Sequence, residues 1–269
     1  MFPKSKVLII AGSDSSGGAG IQADIKAVTA LGGFAMTAIT ALTEQNTEGV
    51  HDIHEVPADF VSQQMEVVLG DLGADCVKIG MLHRPDIIEA VVKALDQYAP
   101  GIPVVVDPVM IAKGGASLLE AAAMTALKER MIPKASILTP NLPEAEALAD
   151  WQGSSMADAE ALAQALLALG PQAVLLKGGH RDGATVLDLL MSASGAVQTF
   201  ENARIETVHT HGTGCTLASA IATGLAQKLD LAAAVSRARN YVLEAIRTAP
   251  GYGNGHGPLN HGHTMSTFH

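Results

Sequence analysis

The sequence predicts an α/β protein, a mostly parallel sheet covered by helices, with an antiparallel edge. Three observations carry this. Short, nearly continuous apolar runs such as Val7-Leu8-Ile9-Ile10 and Val104-Val105-Val106 have the length and β-branched content of strands buried on both faces. Amphipathic stretches of helical length separate these runs from one end of the chain to the other. The polar residues Asp107, Asn141 and Lys177 stand at the ends of successive apolar runs, where open α/β sheets place their ligands.

The elements follow in order. Lys6–Ala11 is a buried strand that enters the Gly-rich turn Gly12-Ser13-Asp14-Ser15-Ser16-Gly17-Gly18, with a helix expected over 18–31. Phe34–Leu42 is the second strand, and Val50–Val56 a short one whose alternation does not decide which face is inward. A helix over 58–70 leads to Cys76–Ile79, one over 85–97 to Val104–Asp107, and one over 117–129 to Ser136–Leu138. Two more, over 143–149 and 156–169, precede Ala173–Lys177. Ala184–Met191 and Ala196–Phe200 flank Ser192-Ala193-Ser194-Gly195, a hairpin signal that predicts the antiparallel edge. Helices over 213–227 and 231–247 complete the pattern, and Gly251–His269, rich in Gly and His without periodicity, is expected to run as a loop. No linker, charge block or fixed-period repeat divides the chain, so one domain over 1–269 is expected.

Composition narrows the function. Seventeen Lys and Arg against 27 Asp and Glu give a net charge of −10, which argues against affinity built on neutralising a nucleic-acid backbone. Two cysteines, Cys76 and Cys215, are too few for a disulfide scaffold. The apolar start Val7-Leu8-Ile9-Ile10-Ala11 is too short for a signal segment or a membrane span. A cytoplasmic protein acting on a small molecule is expected, with neither membrane nor nucleic acid as partner.

Two glycine motifs stand out. The first, Gly12 to Gly20, looks like a phosphate loop, but Gly18 occupies the place of the Walker lysine. Gly18-Ala19-Gly20-Ile21-Gln22-Ala23 fits a dinucleotide fingerprint, yet starts about seven residues past the strand, so a Gly-rich turn into a helix is the plainer reading. The second, His209-Thr210-His211-Gly212-Thr213-Gly214-Cys215-Thr216, runs straight into an apolar helix. There several unpaired N–H groups and the helix dipole favour an oxyanion or a transferring phosphoryl group at Gly212, Thr213 and Gly214. Cys215 lies in the same first turn, where the field lowers a thiol pKa; it reads as a base or nucleophile, or as a small residue packed under the turn.

The strand-end residues add a carboxylate pair, Asp107 and Glu144, with Asn141 beside the latter, the lone Lys177, and Gln45-Asn46 after the second strand. Carboxylates, a lysine and an anion-holding helix terminus together suit a Mg²⁺-nucleotide. Singly, Asp107 and Asn141 also read as turn or cap residues, Glu144 as a first-turn charge and Lys177 as a solvated end.

Taken together these motifs resemble the ribokinase-like superfamily and, within it, the hydroxymethylpyrimidine/phosphomethylpyrimidine kinases. Besides the two glycine motifs the likeness rests on Gln45-Asn46-Thr47-Glu48-Gly49-Val50, Lys78-Ile79-Gly80-Met81-Leu82 and Asp107-Pro108-Val109-Met110. It continues through Thr139-Pro140-Asn141-Leu142-Pro143-Glu144, Lys177-Gly178-Gly179-His180 and Gly255-His256-Gly257-Pro258. The resemblance implies a three-layer α/β/α sandwich, a homodimer that uses ATP and Mg²⁺ to phosphorylate the hydroxymethyl group of 4-amino-5-hydroxymethyl-2-methylpyrimidine, and then the monophosphate to the diphosphate, in thiamine biosynthesis. It implies a pyrimidine pocket of Gly12, Asp24, Gln45, Met81, Val109 and Cys215. Asp107, Asn141, Glu144, Lys177 and Gly212-Thr213-Gly214 are implied as nucleotide, metal and anion-hole residues, with Glu144 and Asp107 on the metal. Chemistry supports Gln45, since a carboxamide pairs side by side with an amino group and an adjacent ring nitrogen.

Two rivals remain at this level: a pyridoxal kinase, whose substrate would face the same cysteine-bearing turn, and a non-catalytic pyrimidine or nucleotide sensor. The sensor is opposed by Asp107, Glu144, Lys177 and the Gly-Thr-Gly turn all being present. Asn254 stands where some relatives carry a lysine, and His261 and His263 read as solvated residues more than as metal ligands. Loops that move over the phosphates are expected around Lys113-Gly114-Gly115 and Gly179–Gly183.

Overall fold

A computed structural model describes residues 3–111, 115, 118–151, 158–179 and 183–265. Among the described residues nine strands form one sheet: β1 (Lys6–Asp14), β2 (Phe34–Gln45), β3 (Val50–Glu55), β4 (Cys76–Ile79), β5 (Val104–Val106), β6 (Ile137–Leu138), β7 (Ala173–Leu176), β8 (Thr185–Ser192) and β9 (Val197–Ala203). Their order is β3-β2-β1-β4-β5-β6-β7-β8-β9. The pairs from β2 to β7 are parallel, while β3 on one side and β8 and β9 on the other run antiparallel. The hairpin and the mostly parallel centre expected from the sequence are both present, and β3 adds a second antiparallel edge.

The helices are α1 (Gly20–Ala30), α2 (Ala58–Asp71), α3 (Pro85–Tyr98), α4 (Ala123–Ala126), α5 (Leu142–Ala149), α6 (Ala159–Leu167), α7 (Thr213–Ala226) and α8 (Leu231–Arg247). The sheet separates two apolar cores. Leu8, Ile10, Val77, Ile79, Val106 and Leu138 face the side of α2 to α6, and Val7, Ile9, Val105, Ile137 and Leu175 face the side of α1, α7 and α8. Alternate residues of each strand thus enter opposite cores, which is why the runs are apolar throughout. On the second side α7 is built of small residues, and Gly224 lets α8 approach so closely that a Cβ there would lie 2.7 Å from that of Ala234. Among the described residues no helix is long and apolar enough to cross a membrane.

Two expectations shift. The helix expected over 117–129 begins at Ala123 and continues beyond α4 as a π-helical turn, Leu127–Met131, and a 3-10 turn, Ile132–Lys134, because Pro133 has no N–H to continue the α-ladder. The tail is not a plain loop: His256 N–H donates to the Thr47 carbonyl at 2.8 Å, His211 N–H to the Gly257 carbonyl at 3.1 Å, and a 3-10 turn forms over His261–Thr264. Of the loops expected to move, Lys113, Gly114 and residues 180–182 lie outside the described residues.

Candidate active site

The strand order turns back on itself between β1 and β4, the switch point at whose carboxyl side such sheets bind ligands. A cavity of about 960 Å³ opens there. Gly12, Gln45, Met81, Val109, Asp107, Asn141, Glu144 and Lys177 line it, as does the whole turn from Gly212 to Cys215. The residues singled out in the sequence, scattered over more than 200 positions, therefore meet in one place, with one exception.

That exception is Asp24, which is fully buried on α1 and absent from the lining. Its carboxylate accepts a hydrogen bond from Lys78 Nζ at 2.8 Å and another from Ser219 Oγ at 2.7 Å. Lys78, also fully buried, belongs to the lining, so Asp24 meets the site at one remove. Burial works against the Lys78 ammonium, but Asp24, with Cys215 and Asp107, outweighs it and holds the pKa above the ordinary lysine range, while burial raises the Asp24 carboxyl in turn. Lys78 was legible: a charged residue within Cys76-Val77-Lys78-Ile79, a strand buried on both faces, demands a counter-charge.

The first glycine turn does not cradle an anion. β1 runs on to Asp14, and the Asp14 carboxylate takes the Ser16 and Ala19 N–H groups and the Ser16 hydroxyl at 2.7–2.8 Å. Two of the N–H groups that a phosphate could use are spent on this side chain, and Gly17 N–H donates to the Asp14 carbonyl at 2.9 Å. Gly20 N–H points at Cys215. Gly212 caps α7 in the left-handed conformation, φ +81°, where a Cβ would fall 1.9 Å from the Gly18 carbonyl oxygen. The two glycine turns thus brace each other, and only glycine fits at position 212.

Beyond the α7 terminus the charged groups converge. Lys177 Nζ donates to Asp107 Oδ1 at 3.0 Å, and Thr139 Oγ1 lies 3.3 Å from the same oxygen. A Cβ on Gly214 would lie 3.4 Å from both Asp107 Oδ2 and Lys177 Nζ, so this pair hangs directly over the helix N-terminus. Asn141 and Glu144 form a reciprocal capping box on α5, Asn141 Oδ1 accepting from Glu144 N–H at 2.9 Å and Glu144 Oε2 from Asn141 N–H at 2.8 Å. The capping role open in the sequence is real, and it aims the Glu144 carboxylate at the cavity. Burial raises the Glu144 carboxyl to about 7 against the opposing pull of Lys177. Burial also opposes the Lys177 ammonium, but Asp107 and Glu144 prevail and raise its pKa.

Cys215 corrects an expectation. Burial pushes its thiol up to about 12, and the nearby Lys78 ammonium and the Gly20 N–H offset this only in part. The helix-terminus field does not produce a resting thiolate.

Sequence reading missed the polar frame around these residues. Gln45 is the last residue of β2, with its amide between Thr43 Oγ1 at 3.0 Å and His211 Nε2 at 3.3 Å. Arg239, inside α8, pairs with Asp188 of β8 at 2.8 Å, and both line the cavity, as do Val208, Val242 and Ile246. No local spacing signals a pair 51 residues apart. His261 is buried against the Tyr241 hydroxyl at 3.1 Å rather than solvated, with its pKa pushed down to about 4 by burial, and His263 packs at a 43° tilt against Tyr241 with ring centroids 4.7 Å apart. Both serve packing.

Comparison with known proteins gives a consistent result. The sequence model of the phosphomethylpyrimidine kinase family matches residues 14–260. The chain is 49% identical over 263 residues to the thiamine biosynthesis bifunctional protein ThiED of Geobacter sulfurreducens, covering 97% of this chain and 53% of that protein, so it spans about half of that relative's length. It is 48% identical over 257 residues to the hydroxymethylpyrimidine/phosphomethylpyrimidine kinase of Bacillus subtilis, covering 95% of this chain and 94% of the relative. Among solved structures, phosphomethylpyrimidine kinase from Clostridium difficile 630 superposes with a TM-score of 0.80 at 41% identity, covering 90% of this chain and 99% of that one. An ADP complex of Bacillus subtilis pyridoxal kinase gives 0.87 at 32% identity, covering 96% and 97%.

Proposed function

The chain belongs to the phosphomethylpyrimidine kinase family, and from that membership we propose that it transfers the γ-phosphoryl group of ATP to 4-amino-5-hydroxymethyl-2-methylpyrimidine and then to the monophosphate, for thiamine biosynthesis. The observation that carries this reading is the Asp107–Lys177 pair over Gly214 at the α7 N-terminus, in the cavity that also holds Gln45. One end of that cavity offers an amide to an aminopyrimidine edge; the middle offers an ammonium and helix N–H groups to a phosphoryl group. Val208, Val242 and Ile246, also in the lining, offer an apolar surface to a nucleoside face.

Phosphoryl transfer asks a protein mainly for positioning and charge stabilisation. Gln45, Met81, Val109 and Gly12, against which Met81 Sδ packs, would hold the pyrimidine ring. Lys177 and the turn Gly212-Thr213-Gly214 would take up the charge that develops on the phosphoryl oxygens. Asp107 and Glu144 fit Mg²⁺: both are buried carboxylates, an all-oxygen donor set suits a hard cation, and the raised Glu144 carboxyl marks a group short of positive charge. Bound there, Mg²⁺ would neutralise the nucleotide phosphates. Asn141 fixes Glu144 through the capping box. Cys215, a thiol at neutral pH, orients the substrate hydroxyl, whose proton leaves late in a loose transition state.

We further read 1–269 as one ribokinase-like kinase domain acting as a cytoplasmic homodimer, which sedimentation of the purified chain would test. A second reading, pyridoxal phosphorylation, is favoured by the close superposition with pyridoxal kinase. The deciding experiment supplies Mg-ATP with the hydroxymethylpyrimidine, its monophosphate or pyridoxal and identifies products by mass. Turnover of both pyrimidines is expected. Turnover of pyridoxal alone would replace the reading, and ligand-induced stabilisation without ADP release would reduce the protein to a sensor.

A further inference from the structure

The Gln45 carboxamide, which meets the pyrimidine edge in the reading above, lies with Oε1 3.0 Å from Thr43 Oγ1 and Nε2 3.3 Å from His211 Nε2. The nitrogen and oxygen of an amide have the same shape, so the surrounding donors and acceptors decide which end is which. At the His211 end, Nε2 lies 2.8 Å from Asp14 Oδ2. Burial pushes the Asp14 carboxyl up, but the hydrogen bonds from His211, Ser16 and Ala19 prevail and hold it below the ordinary range. An ionised carboxylate only accepts, so His211 Nε2 carries the proton, and this N–H also faces the amide. The amide must present its oxygen there. At the other end, Thr43 Oγ1 lies 2.9 Å from the Ser13 carbonyl oxygen, which also only accepts. The single hydroxyl proton of Thr43 goes to Ser13, leaving Thr43 Oγ1 as acceptor for an amide N–H. Two separate accounts agree.

We propose that His211, fixed by Asp14, and Thr43, fixed by the Ser13 carbonyl, are positioning residues that lock the Gln45 carboxamide turned over from that placement, with its oxygen toward His211 and its nitrogen toward Thr43. The lock, which rests on the pyrimidine-kinase reading, gives the site a fixed sense: acceptor on the His211 side, donor on the Thr43 side. A 4-aminopyrimidine edge, an amino donor beside a ring-nitrogen acceptor, then docks in one direction, with the amino group toward His211. The 5-hydroxymethyl group is the amino group's neighbour on the ring, away from the paired nitrogen, so it emerges on the His211 side. There the chain runs directly into Gly212-Thr213-Gly214-Cys215. The opposite sense of the amide would turn the hydroxymethyl group toward Thr43 and away from that turn. A 4-oxopyrimidine presents the reversed edge, a carbonyl acceptor beside a ring N–H donor, and pairs only if the amide turns over and loses both holds.

The test compares kcat/KM for the 4-amino substrate and for its 4-oxo analogue, 5-hydroxymethyl-2-methylpyrimidin-4-one, in the native chain and in His211→Phe, Thr43→Val and His211→Gln. The ratio of the two cancels any general loss of folding or chemistry. We expect strong preference for the amino substrate in the native chain, a preference about 10- to 100-fold smaller in His211→Phe and in Thr43→Val, and retention in His211→Gln, whose amide N–H can replace Nε2–H. Thr43→Val, nearly isosteric, keeps the test open where His211→Phe folds poorly. An unchanged ratio in both disruptive variants overturns the lock while leaving the kinase reading intact. A native chain that turns over pyridoxal but neither pyrimidine overturns the reading and the lock together.

Discussion

Replacing Lys78 by Met tests the buried pair beneath the site. Both side chains are fully buried, and the ammonium is 2.8 Å from the Asp24 carboxylate. Met keeps most of the volume and removes the charge, leaving Asp24 with the Ser219 hydroxyl alone at 2.7 Å. An uncompensated buried charge costs about 3–5 kcal/mol, a large share of the ~5–15 kcal/mol that holds a typical protein together. For a chain of this size each kcal/mol moves the midpoint by about 2–4 °C, so Tm should fall by roughly 6–20 °C. Thermal melts and urea titrations of Lys78→Met, followed by circular dichroism, measure this directly. The double variant Lys78→Met/Asp24→Leu should recover most of the loss, short of about 1–3 kcal/mol for the hydroxyl left unpaired at Ser219. A single variant within about 1 kcal/mol of the native chain, or a double variant no more stable than the single one, would refute the reasoning.

Other residues yield further predictions. Glu144 titrates at about 7 in the folded chain against 4.5 for the ordinary carboxyl, so the folded chain holds a proton that the unfolded one has lost between these values. Its contribution to stability is full below about pH 4.5 and gone above about pH 7; Glu144→Gln should gain up to about 3 kcal/mol on the native chain across that window, and a constant difference in urea melts would contradict it. Gly212→Ala forces a Cβ to 1.9 Å from the Gly18 carbonyl oxygen in a left-handed turn, and should cost more than ~2 kcal/mol in denaturant together with most of the activity. Cys215, with its thiol near 12, should alkylate with iodoacetamide at least about 100-fold more slowly than free cysteine at neutral pH; fast reaction titrating below pH 8 would restore the thiolate base. Lys177→Met should lower kcat by about 10²–10³ with KM for the pyrimidine little changed, and a loss confined to KM would remove Lys177 from the phosphoryl group.

Strand identity was legible because burial on both faces leaves runs such as Val104–Val106 with no polar alternation to misread. The site was legible in its ends, since Asp107, Asn141 and Lys177 fall where apolar runs stop. What local sequence could not carry is partnership. Asp14 reads as a turn residue until His211 is placed beside it, and Asn141 shows its capping bond to Glu144 only because the two are three residues apart. The thiol of Cys215 was misread for the same reason: the helix terminus is local and visible, whereas the burial that outweighs it, with Asp24 and Asp107 adding to it, comes from the fold. Tail order was hidden too, because Gly255 and Gly257 look like loop residues until Thr47 and His209 are seen against them.

The bond between Asp14 and His211 spans 197 residues, and that distance is also an interval of time. At ~5–20 residues per second, a ribosome adds His211 about 10–40 s after Asp14. Ser219 follows Asp24 by a similar delay, 195 residues. As that interval passes the growing chain accumulates its parallel strands with two carboxylates that have yet to meet these partners, and the cavity lacks the part of its lining that His211 to Cys215 supply. The nascent protein is therefore a kinase in neither shape nor charge until its last quarter arrives, and whatever shields the unfinished sheet must do so for most of the time of synthesis.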